Sequence, residues 1–134
     1  MRLNKLFQFL LISLLMVGCS SDNSTIDTSS TKNLIGYKYA HLLFDNREEC
    51  ENANELYFVN CAQVMEVISE TEVNIYVTDI LYKTVFYIDN NKFVVKSTPE
   101  TYEFSEDLIF EIIDNGDLKL DEDIWIKYEE DIFE

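Results

Sequence analysis

Few residues in this chain could carry covalent or acid–base chemistry. His41 is the sole histidine, and it sits between Ala40 and Leu42 in an aromatic, apolar run. A nucleophilic dyad or triad would rest on that one imidazole and would also need an orienting acid and an oxyanion site. Its setting predicts a partly buried structural side chain instead. Carboxylates are abundant, with 26 Asp and Glu, so acid–base pairs can be named at will. Glycoside hydrolysis needs two of them facing across a cleft, about 5 Å or about 6.5–9.5 Å apart, and 134 residues leave little room for one. The expectation is a non-enzymatic protein without a cofactor.

Two acidic stretches invite a calcium hypothesis: Asp114-Asn115-Gly116-Asp117 and Asp121-Glu122-Asp123. Hard cations take several carboxylate oxygens, but the spacing does not fit an EF-hand, whose glycine and closing Glu fall elsewhere in the loop. Counting twelve positions from Asp114 reaches Trp125. Turn chemistry accounts for Asn115-Gly116 without a metal, and no metal site is expected beyond a weak surface one. The acidic run Glu129-Glu130-Asp131 with Glu134 reads as a solvated tail.

The N-terminus is more specific. Arg2 and Lys5 precede an apolar run from Leu6 to Val17, which ends in Met16-Val17-Gly18-Cys19. A basic start, a short apolar core and a small residue at a cleavage point are the parts of a secretory signal. The core is shorter than the roughly 20 apolar residues that span a bilayer. The segment resembles the signal peptide and lipobox of bacterial lipoproteins, with Met16 where that family usually has Leu. The resemblance implies cleavage after Gly18, lipidation of Cys19 and anchoring in the cell envelope. A single acyl chain holds a protein only marginally, and the two or three chains of that family imply durable attachment. Ser20 stands where an Asp would retain some lipoproteins on the inner membrane, so an outer-membrane location is preferred. With Cys19 acylated, Cys50 and Cys61 remain as an even pair in an exported chain, where disulfides persist. Ten residues lie between them, without the C-x-x-C spacing of redox or metal pairs. A structural disulfide is expected.

Residues 1–18 hold two basic and no acidic side chains, so the remaining 116 carry eight basic against 26 acidic, a formal charge of −18. Such a field repels nucleic acid and anionic headgroups, whose recognition depends on Lys and Arg. Aromatic and β-branched residues are plentiful, so the acidity does not mean disorder.

The elements that would position any site are short strands. Residues 19–33 are rich in Ser, Thr, Asp and Asn and read as a flexible tether; a single β-rich domain occupies 34–134. Gly36 to Phe44 suits a first strand. Asp45 to Glu55 reads as a loop or a short helix capped by Asp45 or Asn46, and Leu56 to Asn60 as strand. Cys61, Val64, Met65 and Ile68 fall at helical spacing, but strand is preferred for 61–70 because strand dominates the later chain. Val73, Ile75 and Val77 alternate, then Ile80, Tyr82, Thr84, Phe86 and Ile88 take the opposite parity. A one-residue slip reverses faces, so Thr78-Asp79 must be a turn or bulge. Asp89-Asn90-Asn91-Lys92 and Asn115-Gly116 are hairpin signals, Pro99 marks a loop before Tyr102-Glu103-Phe104, and Asp121-Glu122-Asp123 turns into a last strand at Ile124–Tyr128. Seven to nine such strands predict an all-β antiparallel meander that closes into a small barrel or strongly curved sheet. In strand count and order this is similar to lipocalin-like barrels, although Gly36 is followed by Tyr37 and Lys38 rather than the Gly-x-Trp of true lipocalins.

These features support an acidic binding module that engages a cationic protein, in the manner of small inhibitor or immunity lipoproteins. The alternative is a carrier of a small apolar ligand, with Tyr82, Phe86, Phe93, Phe110 and Trp125 lining its cavity. A third reading is a structural or assembly role in the envelope.

Overall fold

In the computed structural model, residues 32–57 and 59–133 are described. The segment expected to be a signal peptide, 1–18, the expected cleavage and lipidation residues Gly18 and Cys19, and nearly all of the expected tether 19–33 lie outside them. Eight antiparallel strands follow one another around a closed barrel: β1 (Lys38–Leu42), β2 (Ala62–Val67), β3 (Glu72–Tyr76), β4 (Leu81–Asp89), β5 (Lys92–Val95), β6 (Leu108–Ile112), β7 (Leu118–Leu120) and β8 (Asp123–Tyr128). Each strand pairs with its neighbour in sequence, and β8 returns to β1 with Tyr39 opposite Lys127. Closure leaves no edge for another chain to extend. No helix among the described residues is long and apolar enough to cross a membrane.

Period-2 alternation sets the inner face. In β4, Tyr82, Thr84 and Phe86 are buried while Leu81, Lys83 and Val85 are exposed. Register carries this parity around the barrel: Tyr39 faces Met65, Met65 faces Ile75, Ile75 faces Tyr82, Phe93 faces Phe110, and Leu118 faces Trp125. The parity change between β3 and β4 falls in residues 77–80, outside any strand, where the sequence places it. Thr84 is the one polar residue of the β4 inner series, and its hydroxyl donates to the Lys96 carbonyl at 2.7 Å.

The turns follow their chemistry. Asn90 and Asn91 have φ of 46° and 67°, the paired left-handed conformation of a two-residue I′ hairpin. Asn91 also donates from Nδ2 to the Ile112 carbonyl at 2.7 Å, which ties this turn to β6. The 113–117 turn is a hairpin as expected, but of a different kind. Only Gly116 is left-handed there, at φ 88°, and its N–H donates to the Ile113 carbonyl at 2.8 Å. This is the three-residue loop closed by a left-handed glycine rather than an Asn-Gly I′ turn.

Two sequence expectations are corrected. Leu56–Asn60 is not a strand: α1 runs from Arg47 to Tyr57. Asn46 accepts the Glu49 N–H on its side-chain oxygen at 3.0 Å, and Glu48 and Glu49 fill the first turn, where acids complement the helix dipole. A helix begun by that cap propagates through Leu56 and Tyr57 more cheaply than a new strand can start. The acidic tail is also more than a solvated run, because Asp131 is paired with Arg47. For 61–70 the preference for strand holds at Ala62–Val67, with Met65 and Val67 inward and the helical spacing of Val64 and Ile68 coincidental.

Candidate functional site

Tyr82, Phe86, Phe93, Phe110 and Trp125 come together inside the barrel, all buried. Phe86 stacks on Phe93 with centroids 4.6 Å apart, Phe93 meets Phe110 edge-on at 6.3 Å, and Phe110 meets Trp125 edge-on at 5.3 Å. Tyr39 approaches Phe93 at 6.2 Å, and Phe104, from the β5–β6 connection, closes on Tyr82 at 5.7 Å. These rings fill the interior with one another, as side chains do in small barrels. Burial pushes the Tyr39 phenol up to about 12, with Tyr37 and Asp117 adding to the shift. Burial and then the neighbouring Glu103 carboxylate push the Tyr82 phenol up as well. The Tyr82 hydroxyl lies near Glu103 without a well-formed hydrogen bond, and the Trp125 indole N–H has no partner among the described residues.

His41 is half-buried at one end of this core. Its Nδ1 lies 3.1 Å from Gln63 Oε1, its Nε2 lies 3.6 Å from Asp123 Oδ1, and its ring stands 6.1 Å from that of Trp125. An amide oxygen on one side and a carboxylate on the other hold the imidazole as a bridge between β2 and β8. Such a bridge positions strands; a nucleophile for it to activate is not among these contacts.

The two stretches weighed for calcium sit at opposite ends of the barrel, because β7 separates them. Asp117 is occupied by its own turn: Oδ1 accepts the Lys127 N–H at 2.7 Å and Oδ2 accepts from Asn115 Nδ2 at 2.6 Å. Among the described residues no three His, Cys, Asp or Glu side chains converge as metal ligands.

Cys50 and Cys61 are joined in a disulfide, with Cα atoms 5.4 Å apart. Cys50 is fully buried. The bond fastens α1 to the start of β2, and Arg47 fastens the helix to the tail through Asp131 and the Phe133 ring, 5.5 Å from the guanidinium. The Phe133 N–H, and then Arg47, hold the Asp131 carboxyl below the usual carboxylate range. The β5–β6 connection is clamped in the same way. Lys96 and the Ser97 N–H hold the Asp107 carboxyl low, and the hydrogen bond to Asp107 raises Lys96 in turn.

Sequence reasoning missed a group that only the fold assembles. Leu43, Ile80, Leu81 and Tyr102 are large apolar side chains left exposed, Tyr102 to 81%, and all four belong to the end of the barrel that also carries α1. Between the β1–β2 and β3–β4 connections lies a groove of about 460 Å³, walled by Leu43, Phe44, Val59 and Val77 with Asn60 and Thr78. The alternating series includes Val77 and Ile80 but does not join them to Leu43 or Tyr102, and Ile80, in series with the inward Tyr82, lies before the start of β4 and is exposed instead.

Fold and surface together define a small closed antiparallel barrel with a filled interior, a disulfide-fastened helix and one end rich in acids. Comparison of the chain with protein-family models, curated proteins and solved structures finds no match.

Proposed function

We propose that the chain is an envelope lipoprotein, anchored through Cys19, whose acidic barrel binds a cationic protein in the manner of inhibitor or immunity lipoproteins. The observation that carries this reading is the imbalance of charge. Eight basic residues after position 18 face 26 acidic ones. Arg47, Lys83 and Lys96 are already committed to ion pairs within the domain, and Lys127 lies 3.4 Å over the Tyr37 ring. The remaining carboxylates project a field that steers cations inward over several ångströms. The mutual packing of the five interior aromatics weighs against the carrier alternative, because those rings are spent on one another.

Two measurements test it. Labelled palmitate marks the protein, and Cys19→Ala releases it from the membrane fraction; retention of the variant would refute the anchor. A pull-down from envelope extract recovers a basic protein at low salt and less at high salt, as screening demands. Recovery of none at either salt refutes the binding role.

A further inference from the structure

The strands alternate in direction, so the connections 43–61, 77–80, 96–107 and 121–122 share one end of the barrel. The N-terminal chain enters at the other end, through residues 32–37 into β1. The four connections hold twelve acidic residues and two basic ones, Arg47 and Lys96, and both basic residues are already paired with acids. At the opposite end, the turns 68–71, 90–91 and 113–117 hold three acids, and the adjoining strand ends hold Glu66, Glu72, Asp89 and Glu111 beside Lys38, Lys92 and Lys127. The tail leaving β8 adds Glu129 and Glu130 there, while its Asp131 is paired with Arg47 of α1. Both ends are therefore acidic, and the end turned away from the point where the tether joins carries the larger net negative charge, five of its acids lying in the connection that contains α1.

That same end holds the groove and the exposed Leu43, Ile80, Leu81 and Tyr102. The Thr78 N–H reaches Glu103 Oε2 at 3.5 Å, so the β3–β4 connection beside the groove touches the connection that carries Tyr102. An apolar centre within a charged rim is the anatomy of a protein-binding surface. A second copy of this chain would bring like charge against like, and the same field opposes nucleic acid and anionic lipid.

Building on the reading of a cationic protein partner, we propose that this tether-distal end is its docking surface. The partner seats one apolar side chain in the groove beside Leu43 and Val77. Lys or Arg residues flanking that anchor meet Asp79, Glu100, Glu103 and Glu106. Apolar contact at the centre sets the lifetime of the complex, and the rim sets its rate of formation.

Photo-crosslinking of the full chain in the cells that produce it tests this. p-Benzoylphenylalanine is placed at Leu43, Ile80 or Tyr102 at the proposed surface, and at Asp89 or Asp114 at the other end; all five positions are exposed. The expected result is an adduct of one common mass from the first three positions, containing a basic protein, and none from Asp89 or Asp114. Adduct yield falls severalfold when Glu100, Glu103 and Glu106 are changed to Gln. A basic adduct confined to Asp89 or Asp114 overturns the docking end and leaves the cationic-partner reading standing. The absence of a basic adduct at all five positions overturns that reading itself.

Discussion

Replacing Phe93 by Ala asks whether the barrel interior is solid. Phe93 is fully buried and touches three rings: Phe86 stacked at 4.6 Å, Tyr39 at 6.2 Å and Phe110 at 6.3 Å. Truncating a buried Phe to Ala costs about 3–5 kcal/mol, the sum of lost transfer energy and the cavity left behind. Ring contacts are worth about 0.5–1.5 kcal/mol each beyond area burial, and three of them place this site in the upper half of the truncation range, at about 4–5 kcal/mol. A closed sheet relaxes poorly around a hole because its register is held on both sides. For a domain of about 100 residues each kcal/mol lowers Tm by about 4–8 °C, so the midpoint falls by at least about 16 °C. Urea unfolding followed by the fluorescence of Trp125, the one tryptophan, measures the loss directly. Ile109→Ala, half-exposed on the outer wall, is the control and should cost about 0.5 kcal/mol or less. A loss below about 1 kcal/mol for Phe93→Ala would mean the ring borders a space instead of filling one, and the carrier reading would return.

Three further outcomes rest on particular contacts. The Cys50–Cys61 bond spans 11 residues of sequence, so its removal as the double Ser variant costs about 3 kcal/mol by chain entropy, read as a lower urea midpoint that reductant reproduces in the native chain. Asp107 is held below its ordinary pKa by Lys96 and Ser97. The stability it contributes is therefore present above the unfolded carboxylate value, near 4, and is lost as pH falls through the lower folded value. Asp107→Asn should lower the urea midpoint at neutral pH and flatten its decline below about pH 4. Tyr39 shifts in the other direction, from 10 to about 12. Its contribution is intact below about pH 10 and is lost as pH rises towards 12; Tyr39→Phe should remove part of the alkaline fall in thermal midpoint.

Much of this architecture is a local property and so is legible in the sequence. Alternation at Tyr82, Thr84 and Phe86 depends only on which side of a pleat each Cβ leaves. Asn90-Asn91 and Gly116 mark turns because few other residues tolerate positive φ. The parity change near Thr78 can be placed because a period of two admits no partial slip. The pairing of Cys50 with Cys61 is within reach once a third cysteine has another use. The interior aromatics are legible as inward residues, but whether they line a space or fill one depends on distances between strands far apart in the chain.

What tertiary structure alone decided is the set of relations between distant segments. Leu56 and Tyr57 have strand-like chemistry, yet they extend a helix whose cap lies at Asn46, since a cap acts over a whole cooperative unit. Closure of β8 on β1 joins residues nearly ninety positions apart, beyond any periodic signal. Asp117 and Asp121 look like neighbours in a row of acids, but a three-residue strand sends them to opposite ends. Composition establishes how much negative charge the chain carries, because charge is a sum over residues. Strand direction establishes where that charge gathers, because position in space depends on how many times the chain has reversed.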